Sequence, residues 1–280
     1  MSAKISVCSF SFHRLLAAGK QDMFQYIADC KELGCAQLDP WNAHLSRLED
    51  GGQVLHAGAN PGQSQHLTAV DEHYLDRVKE AADRAGLPFG CIAVDGAHIY
   101  EEAEQDRIRN REKAYRWIAV AAKLGASQIR IDAGGTAEPT EEMFQIIVEG
   151  YKDLIGRAQP AGIEVLVENH WGPTQHPDQL VRLLEAVPGL GLLLDSWNWA
   201  PGKQAEGWLR CAKYAKRLHI KTFRFTEDGD ELTQNIQAFC RLLQRGGYDG
   251  CWGVESVPHD GDELEAARKS IALIERSLLA

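Results

Sequence analysis

The chain has 280 residues, of which 44% are hydrophobic and 25% are charged, and its formal net charge is -10. This composition is typical of a globular protein with a sizeable core, and the length suits one large domain or two small ones; a closed α/β barrel takes about 250 residues. The acidic balance argues against nucleic acid as a partner, because phosphate backbones recruit Lys and Arg.

Short β-like runs alternate with longer amphipathic segments along the whole sequence. The runs predict strands at 4–12, 35–41, 88–94, 127–133, 163–169, 190–196, 217–223 and 251–257. Apolar residues at helical spacing predict helices within 21–34, 74–88, 112–126, 140–162, 176–189, 205–216, 235–247 and 262–280. Such alternation implies parallel strands joined by helical crossovers. We therefore predict an α/β fold, a single (β/α)8 TIM barrel that occupies residues 1–280 as one domain.

An open doubly wound sheet is the main alternative fold. Such a sheet usually has fewer strands and a glycine-rich phosphate turn after its first strand. Here the first strand leads into "SFHRLLAAGKQ", which lacks the G-x-G-x-x-G pattern. The barrel is therefore preferred.

The segment 42–67, between the second strand and its helix, is the most irregular part of the sequence. It is rich in glycine and polar residues and shows no clear period. Long loops in compact domains are usually functional or disordered, and this one lies on the C-terminal side of a strand. We predict a lid-like insertion that covers the substrate.

Cysteine usage and the N-terminus predict a cytoplasmic protein. The seven cysteines are odd in number, form no C-x-x-C pair and lie mostly in apolar runs, which favours reduced, buried thiols. The first residues, "MSAKISVCSF", enter a strand without the basic and apolar regions of a signal peptide. No apolar run approaches the ~20 residues that span a bilayer, so no membrane partner is expected.

Four predicted strands run directly into acidic or imidazole side chains. Glu168 ends the fifth strand and Asp195 the sixth, while His219 lies on the seventh and Glu255 on the eighth. A lone acid at a strand end is more often a helix N-cap or a solvated group. Three carboxylates and an imidazole at one barrel mouth are harder to explain in that way, because their mutual repulsion calls for a divalent cation. The donor set suits Mn²⁺, Mg²⁺, Co²⁺ or Zn²⁺, and we predict one such ion as the cofactor.

The strand ends read "VENH", "LLDSWN", "HIK" and "WGVES" in order, and "RIDAGG" follows the fourth strand. This ordered set, over nearly the whole chain, resembles the sugar isomerase/epimerase superfamily with the xylose-isomerase-like barrel. That superfamily includes ketose 3-epimerases, inosose dehydratases and 3-dehydroshikimate dehydratases. The resemblance implies that Glu168, Asp195, His219 and Glu255 are the metal ligands. It also implies a homo-oligomer, either a dimer or a tetramer.

The resemblance further implies a reaction class. Glu168 and Glu255 would lie on opposite sides of the substrate as catalytic acid/base groups. Proton abstraction beside a metal-polarised carbonyl gives an enediolate, from which epimerisation, aldose–ketose isomerisation or loss of a hydroxyl can follow. The acidic loops "RFTEDGDE" and "PHDGDE" after the last two strands would repel a phosphate group. We predict an isomerase or epimerase of a non-phosphorylated sugar, keto-sugar or polyol, with a dehydratase as the alternative.

Two further functions stay open at this point. An AP endonuclease shares the barrel, but it needs more metal ligands and a basic groove, which the acidic composition does not favour. A barrel that binds sugar without catalysis predicts that Glu168→Gln leaves function intact.

Other residues near the strand ends are candidate substrate contacts. The epimerases usually carry Asp-x-x-His at the sixth strand, whereas this chain reads Asp195-Ser-Trp-Asn198; Arg224 stands near the place of a family arginine. Arg130 and Asp132 share a face of the fourth strand and are predicted to pair inside the barrel. The predicted substrate contacts are His170, Asn198, Lys221, Arg224, Trp41 and His13.

Overall fold

Parallel strands curl into a barrel, and helices pack around its outside. The computed structural model describes residues 3–48, 66–259 and 261–279. Its strands are Ile5–Val7 (β1), Ser46–Leu48 (β2), Leu67–Ala69 (β3), Cys91–Val94 (β4), Gln128–Ile131 (β5), Glu164–Glu168 (β6), Gly191–Asp195 (β7), Ala215–Thr222 (β8) and Trp252–Ser256 (β9). The barrel sheet has the order β1-β9-β8-β7-β6-β5-β4, and every pairing in it is parallel. The predicted (β/α)8 TIM barrel is confirmed.

The helices follow the strands in the predicted alternation. They are His13–Ala17 (α1), Met23–Glu32 (α2), Glu72–Ala85 (α3), Glu104–Leu124 (α4), Glu141–Ala158 (α5), Pro177–Ala186 (α6), Gln204–Cys211 (α7), Ile236–Arg245 (α8) and Glu263–Leu279 (α9). All eight predicted helices form, and α1 is a short addition that was not predicted. Side-chain caps stabilise the N-termini of several helices. Asp22 accepts a hydrogen bond from the Gln25 amide at the start of α2, and Thr140 accepts one from the Met143 amide at the start of α5.

The predicted second strand is the least regular member of the barrel. Isolated parallel bridges join Asp39 to Cys8 on one side, and Leu38 and Trp41 to the chain around β4 on the other. Pro40 lies in the middle of this segment and has no N–H group for a ladder. The segment therefore closes the barrel without forming a continuous strand.

The two faces of the barrel strands pack against different groups of apolar residues. The main hydrophobic core lies between the outward faces of the strands and the surrounding helices. Inside the barrel, Leu166 packs with Cys91 and Leu193 in a small separate apolar cluster. At Gly253 a Cβ atom would lie 2.1 Å from the Leu218 carbonyl oxygen, so only glycine lets β9 approach β8 here.

A buried polar network occupies the barrel interior at the N-terminal side of the strands. Arg217 of β8 is 4% exposed and donates from Nη1 to Asp39 Oδ2 at 3.3 Å and from Nε to Gln128 Oε1 at 2.9 Å. Asp39 also accepts from Ser6 Oγ at 2.5 Å and from the Cys91 amide at 2.9 Å. Each buried charge thus has partners, which is the condition for tolerating it in an interior.

The predicted lid coincides in part with described chain. Its first residues form a 3-10 turn at Asn42–Leu45 and then β2, which pairs with β3 as a two-stranded antiparallel ribbon. Residues 49–65 lie outside the described part of the chain. The lid role stays a prediction, and so does the single-domain assignment.

The His44 imidazole lies buried in that 3-10 turn, and we expect it to make the protein acid-sensitive. Its Nδ1 atom is 3.0 Å from Ser9 Oγ. Burial, with a smaller effect of the His13 charge, lowers the His44 pKa to about 3. Above pH 6.5 the ring is neutral in both states. Below pH 6.5 His44 takes up a proton in the unfolded chain but not in the folded protein, so this residue by itself should lower the free energy of unfolding by about 2 kcal/mol at pH 5.

Urea unfolding of the wild type and of His44→Asn between pH 7.5 and pH 5 measures this contribution as the difference between the two proteins, because groups with raised pKa values, such as His170, affect both alike. His44→Asn, which retains a polar group near Ser9, should flatten the pH dependence. His73→Asn is the matched control, because His73 lies exposed on α3 and its replacement should leave the slope unchanged. An unchanged slope in His44→Asn would contradict the assignment.

The cysteines are reduced and buried, as the sequence predicts. All seven cysteines are buried and unpaired. Within the described residues, no helix is both long enough and apolar enough to cross a membrane.

Candidate metal centre

Four side chains from four successive strands converge at the C-terminal mouth of the barrel. Glu168 ends β6, Asp195 ends β7, His219 lies on β8 and Glu255 on β9. Each offers a ligand atom, and these atoms all lie within 4.8 Å of one another. Asp195 is directly paired with His219 in the β7–β8 register, so sheet geometry itself brings these two together. The structure thus groups the four residues that the sequence selected.

Two cationic side chains lie among the three carboxylates. His219 Nδ1 is 3.1 Å from Glu168 Oε1 and 3.4 Å from Glu255 Oε2. Lys221 Nζ is 3.1 Å from Glu255 Oε2 and 3.3 Å from Asp195 Oδ2. Lys221 pairs with Glu255 in the β8–β9 register, as Asp195 does with His219 one strand earlier. Lys221 therefore lies at the barrel mouth and forms ion pairs with two of the carboxylates.

The chemistry of the donors fits a divalent ion. One oxygen of each carboxylate, Glu168 Oε2, Asp195 Oδ2 and Glu255 Oε2, is buried and accepts no aligned hydrogen bond from the described residues, although each lies 2.9–3.3 Å from a nitrogen of Arg130 or Lys221. Buried oxygens without hydrogen bonds are costly unless another group compensates them. Three carboxylates and one imidazole form a ligand set that suits Mg²⁺, Mn²⁺, Co²⁺ or Zn²⁺.

Mutual electrostatics shift the pKa values of the group. Burial raises the pKa of Asp195 to about 6, and the Glu255 and Glu168 charges add to this effect although Lys221 opposes it. Burial also raises the pKa of Glu255, but Lys221 and His219 together outweigh it and bring the value to about 2. Burial lowers the pKa of His219, but the Glu255 and Glu168 charges raise it well above its ordinary value. The imidazole is therefore held protonated by the carboxylates, and an ion bound there would compete with that proton.

A second group of polar side chains adjoins the first. Arg130 Nη1 is 2.9 Å from Asp132 Oδ2, so the predicted pair forms. His170 Nδ1 lies 3.1 Å from the same Asp132 oxygen, and its side chain is 34% exposed at the mouth. Burial lowers the His170 pKa, but the charge and hydrogen bond of Asp132 outweigh this and raise it to about 9. His170 is thus an oriented cationic group that reaches solvent.

Two asparagines hold the β7 end of the site in place. Asn169 Nδ2 donates to the Asp195 carbonyl oxygen at 2.9 Å, and Asn169 Oδ1 accepts from the Asp195 amide at 2.8 Å. Asp195 Oδ1 accepts from the Asn198 amide at 2.9 Å. Asn198 Oδ1 accepts from Lys221 Nζ at 3.0 Å, which leaves its buried Nδ2 without a hydrogen bond among the described residues. Asn198 therefore keeps one donor that no described residue satisfies.

The remaining predicted substrate contacts are more dispersed. Trp41 is buried, and its Nε1 donates to Asp95 Oδ2 at 2.8 Å. The His13 ring is buried and stacks on Phe10 at a centroid distance of 4.7 Å. Arg224 is exposed and lines a separate cavity of about 310 Å³ beside α9, with Phe225, Asp262 and Lys269 among its other walls. The structure does not bring Arg224 into contact with the four central residues.

Sequence reasoning missed several residues that shape this site. Asp95 directly follows β4 and accepts from Arg130 Nη1 at 2.9 Å, yet its place at a strand end was the same signal that selected Glu168. Burial raises the pKa of the Cys8 thiol, and the charge of the neighbouring His219 opposes that rise. Asn169 points away from the face of Glu168 by strand alternation, so no pattern indicated its bonds to the neighbouring strand.

Comparisons with known proteins agree with this architecture. The family model described as xylose isomerase-like TIM barrel matches residues 27–277. A search of curated protein sequences gave no significant match. Among solved structures, the chain is similar to 3-keto-D-glucoside 4-epimerase YcjR from E. coli, with a TM-score of 0.73, 15% identity, and 98% of this chain and 99% of that one covered.

Two further structures show the same fold. A xylose isomerase-like TIM barrel protein from Mycobacterium smegmatis, in complex with magnesium, gives a TM-score of 0.68 at 16% identity, with 99% and 98% of the two chains covered. The probable 3-DHS dehydratase AsbF from Bacillus anthracis gives 0.66 at 16% identity, with 96% and 98% covered. At these identities the likeness establishes the fold alone.

Proposed function

Because this chain belongs to the xylose isomerase-like TIM barrel family, we propose that it is a divalent-metal-dependent isomerase or epimerase of a non-phosphorylated sugar, keto-sugar or polyol. One observation carries the proposal: Glu168, Asp195, His219 and Glu255 present ligand atoms within 4.8 Å of one another at the barrel mouth. Enzymes of this barrel class place their chemistry at that end of the strands.

The four residues would hold the ion, and the fit of three carboxylates and an imidazole supports Mg²⁺, Mn²⁺, Co²⁺ or Zn²⁺. When bound, the ion supplies Lewis-acid polarisation of a substrate carbonyl. The magnesium complex of the Mycobacterium smegmatis protein makes Mg²⁺ a reasonable first choice for loading.

The protein's own groups account for proton transfer. Glu168 and Glu255 are ionised because the neighbouring positive charges hold their pKa values below the ordinary one despite burial. One carboxylate would take the proton from the carbon beside the carbonyl, which gives an enediolate, and the other would return a proton. Lys221 contacts Glu255 at 3.1 Å and supplies a fixed positive charge beside the developing oxyanion.

Substrate would be held by the polar groups around the mouth. His170 is oriented by Asp132 and reaches solvent, and Asn198 has an amide nitrogen without a hydrogen bond among the described residues. Both suit hydroxyl groups of a sugar. Trp41, His13 and Arg224 stay as predicted contacts of lower priority, because Trp41 and His13 already contact other residues and Arg224 lines a separate cavity.

The loop after β8 supports a substrate without phosphate. Barrel enzymes often bind phosphate in the loops after the last two barrel strands. Here the loop carries Glu227, Asp228, Asp230 and Glu231. Negative charges at this place would repel a phosphate group.

A dehydratase is the second candidate. The chain has Asn198 where epimerases usually carry a histidine, and the fold is similar to that of a probable 3-DHS dehydratase. Loss of a β-hydroxyl begins with the same proton abstraction, so only the product separates the two reactions. The seven buried thiols support the cytoplasm as the proposed location. The proposed dimer or tetramer is based on the resemblance to the superfamily alone.

Deuterium incorporation tests the proposed function. Protein stripped with a chelator and reloaded with Mg²⁺ or Mn²⁺ is incubated with D-fructose, D-tagatose, L-ribulose and a 3-keto-glucoside in D₂O. We expect at least one compound to gain carbon-bound deuterium in the loaded protein and none to do so in the stripped protein. Product of unchanged carbon skeleton and mass, apart from deuterium, indicates epimerisation or isomerisation, whereas loss of 18 mass units, the mass of water, indicates the dehydratase. Exchange that is equally fast without any ion would contradict the metal dependence.

A further inference from the structure

A second group of metal-type donors lies beside the first and shares a residue with it. Asp132, Glu168 and His170 also have ligand atoms within 4.8 Å of one another. By donor chemistry alone, two carboxylates and an imidazole suit another divalent ion. The arrangement raises the question of whether this barrel holds one ion or two.

The Arg130 guanidinium already lies among these donors. Its Nη1 is 2.9 Å from Asp132 Oδ2 and 2.9 Å from Asp95 Oδ1, and its Nε is 2.9 Å from Glu168 Oε2. The Arg130 side chain is 5% exposed, and its Nη1 also donates to the Val94 carbonyl oxygen at 3.0 Å. A full positive charge therefore contacts two of the three donors and a further carboxylate, away from water.

The two carboxylate oxygens of Glu168 face different groups of donors. Oε1 lies 3.1 Å from His219 Nδ1, on the side of the four-residue centre. Oε2 lies against Arg130 Nε, although the two are not aligned as a hydrogen bond. A carboxylate that bridged two ions would offer one oxygen to each, and here the place of the second ion is taken by the guanidinium.

We propose that Arg130 is the built-in cation of the second donor group: it orients Glu168 toward the metal centre and keeps that centre mononuclear. The inference rests on the proposed function, since it assumes that the four-residue group binds an ion. A guanidinium suits this positioning role because it stays protonated, is rigid and planar, and cannot dissociate as an ion can.

Counting bound ions tests the proposal without any substrate. Chelator-treated protein is titrated with Mn²⁺ by calorimetry, and the bound metal is counted by elemental analysis after gel filtration. We expect one Mn²⁺ per chain in the wild type. No bound ion would refute the proposed function itself, whereas two ions would leave the function standing and refute the role of Arg130.

Arg130→Ala should convert the centre to a two-ion site. Removal of the guanidinium leaves Asp95, Asp132, Glu168 and His170 together, so a second Mn²⁺ should bind per chain. Because the ions would share Glu168, the electron paramagnetic resonance spectrum should change from that of an isolated Mn²⁺ to that of an interacting pair. Arg130→Lys, which keeps the charge, is the matched control and should bind one ion.

A double variant locates the second ion. Arg130→Ala combined with His170→Ala lacks one of the new donors and should return to one Mn²⁺ per chain with an isolated-ion spectrum. Two ions in this variant, or one ion in folded Arg130→Ala, would overturn the proposal.

Folding defects are also informative. If Arg130→Ala unfolds in chelator but folds with Mn²⁺, the ion has replaced the guanidinium, which supports the proposal. If it unfolds in both, Arg130→Ala with Asp132→Asn removes a carboxylate together with the cation. This variant should recover the fold and bind one ion, and its failure to fold would refute a role based on charge.

Discussion

Replacement of Glu168 by glutamine is expected to lower kcat for deuterium exchange by about 10²–10⁴-fold, which is the usual effect of removing a general acid or base. The change keeps the size of the side chain but removes the charge that lies 3.1 Å from His219 Nδ1 and 2.9 Å from Arg130 Nε. Glutamine cannot accept a proton from carbon, and it is a poorer ligand for a divalent ion. The circular dichroism spectrum should be unchanged, because the volume inside the barrel is conserved.

Glu164 offers a matched control on the same strand. It begins β6, four residues before Glu168, and accepts from Gln128 Nε2 at 2.7 Å at the opposite end of the strand. Glu164→Gln makes the identical chemical change away from the mouth, so exchange and metal content should stay within about twofold of the wild type. Full turnover in Glu168→Gln would contradict the catalytic role that we assign to Glu168.

Arg217→Ala should lower the free energy of unfolding by about 3–5 kcal/mol, the usual cost of breaking a buried ion pair by removing one partner. The guanidinium is 4% exposed and contacts both Asp39 and Gln128. Its loss leaves a buried carboxylate with only uncharged donors, and Gln128 with an unpaired oxygen. Asp39 retains its bonds from Ser6 and the Cys91 amide, so the lower end of the range is expected. Urea unfolding at pH 7.5 measures the change.

Arg210 provides the comparison for this effect. It forms ion pairs with Asp178 and Glu206 on the surface, and its side chain is 41% exposed. Exposed pairs contribute about 0–1 kcal/mol, so Arg210→Ala should be nearly neutral. Equal losses of stability in the two variants would show that burial does not increase the contribution of the Arg217 ion pair to the free energy of unfolding.

Much of the fold was predictable because strand and helix periods are local properties. All eight predicted helices form, and seven of the eight predicted strands form ladders. The exception is the second strand, where the apolar run also contains Pro40, and the missing amide leaves only isolated bridges. The first strand is cut to three residues because residues 9–12 turn into a 3-10 helix.

The centre of the site was predictable for a related reason. Parallel strands carry their C-terminal ends to one rim, so polar residues that end successive strands must be neighbours. That argument places Glu168, Asp195, His219 and Glu255 together without any coordinates, and Lys221 follows by alternation on β8. The argument is weaker for residues beyond the strand ends, such as His13 and Arg224, because the direction of the chain there does not follow from strand periodicity.

The order of residues along the chain thus determined the barrel, the rim at which the candidate site lies and the four candidate ligands, since alternation and strand ends are properties of the local sequence. Only the tertiary structure decided which charges meet. Arg130 reaches Glu168 from the adjacent strand, and Arg217 reaches Asp39 across 178 residues of sequence. Such pairings depend on strand register, barrel curvature and side-chain reach, which are set when the whole sheet closes and which no short stretch of sequence encodes.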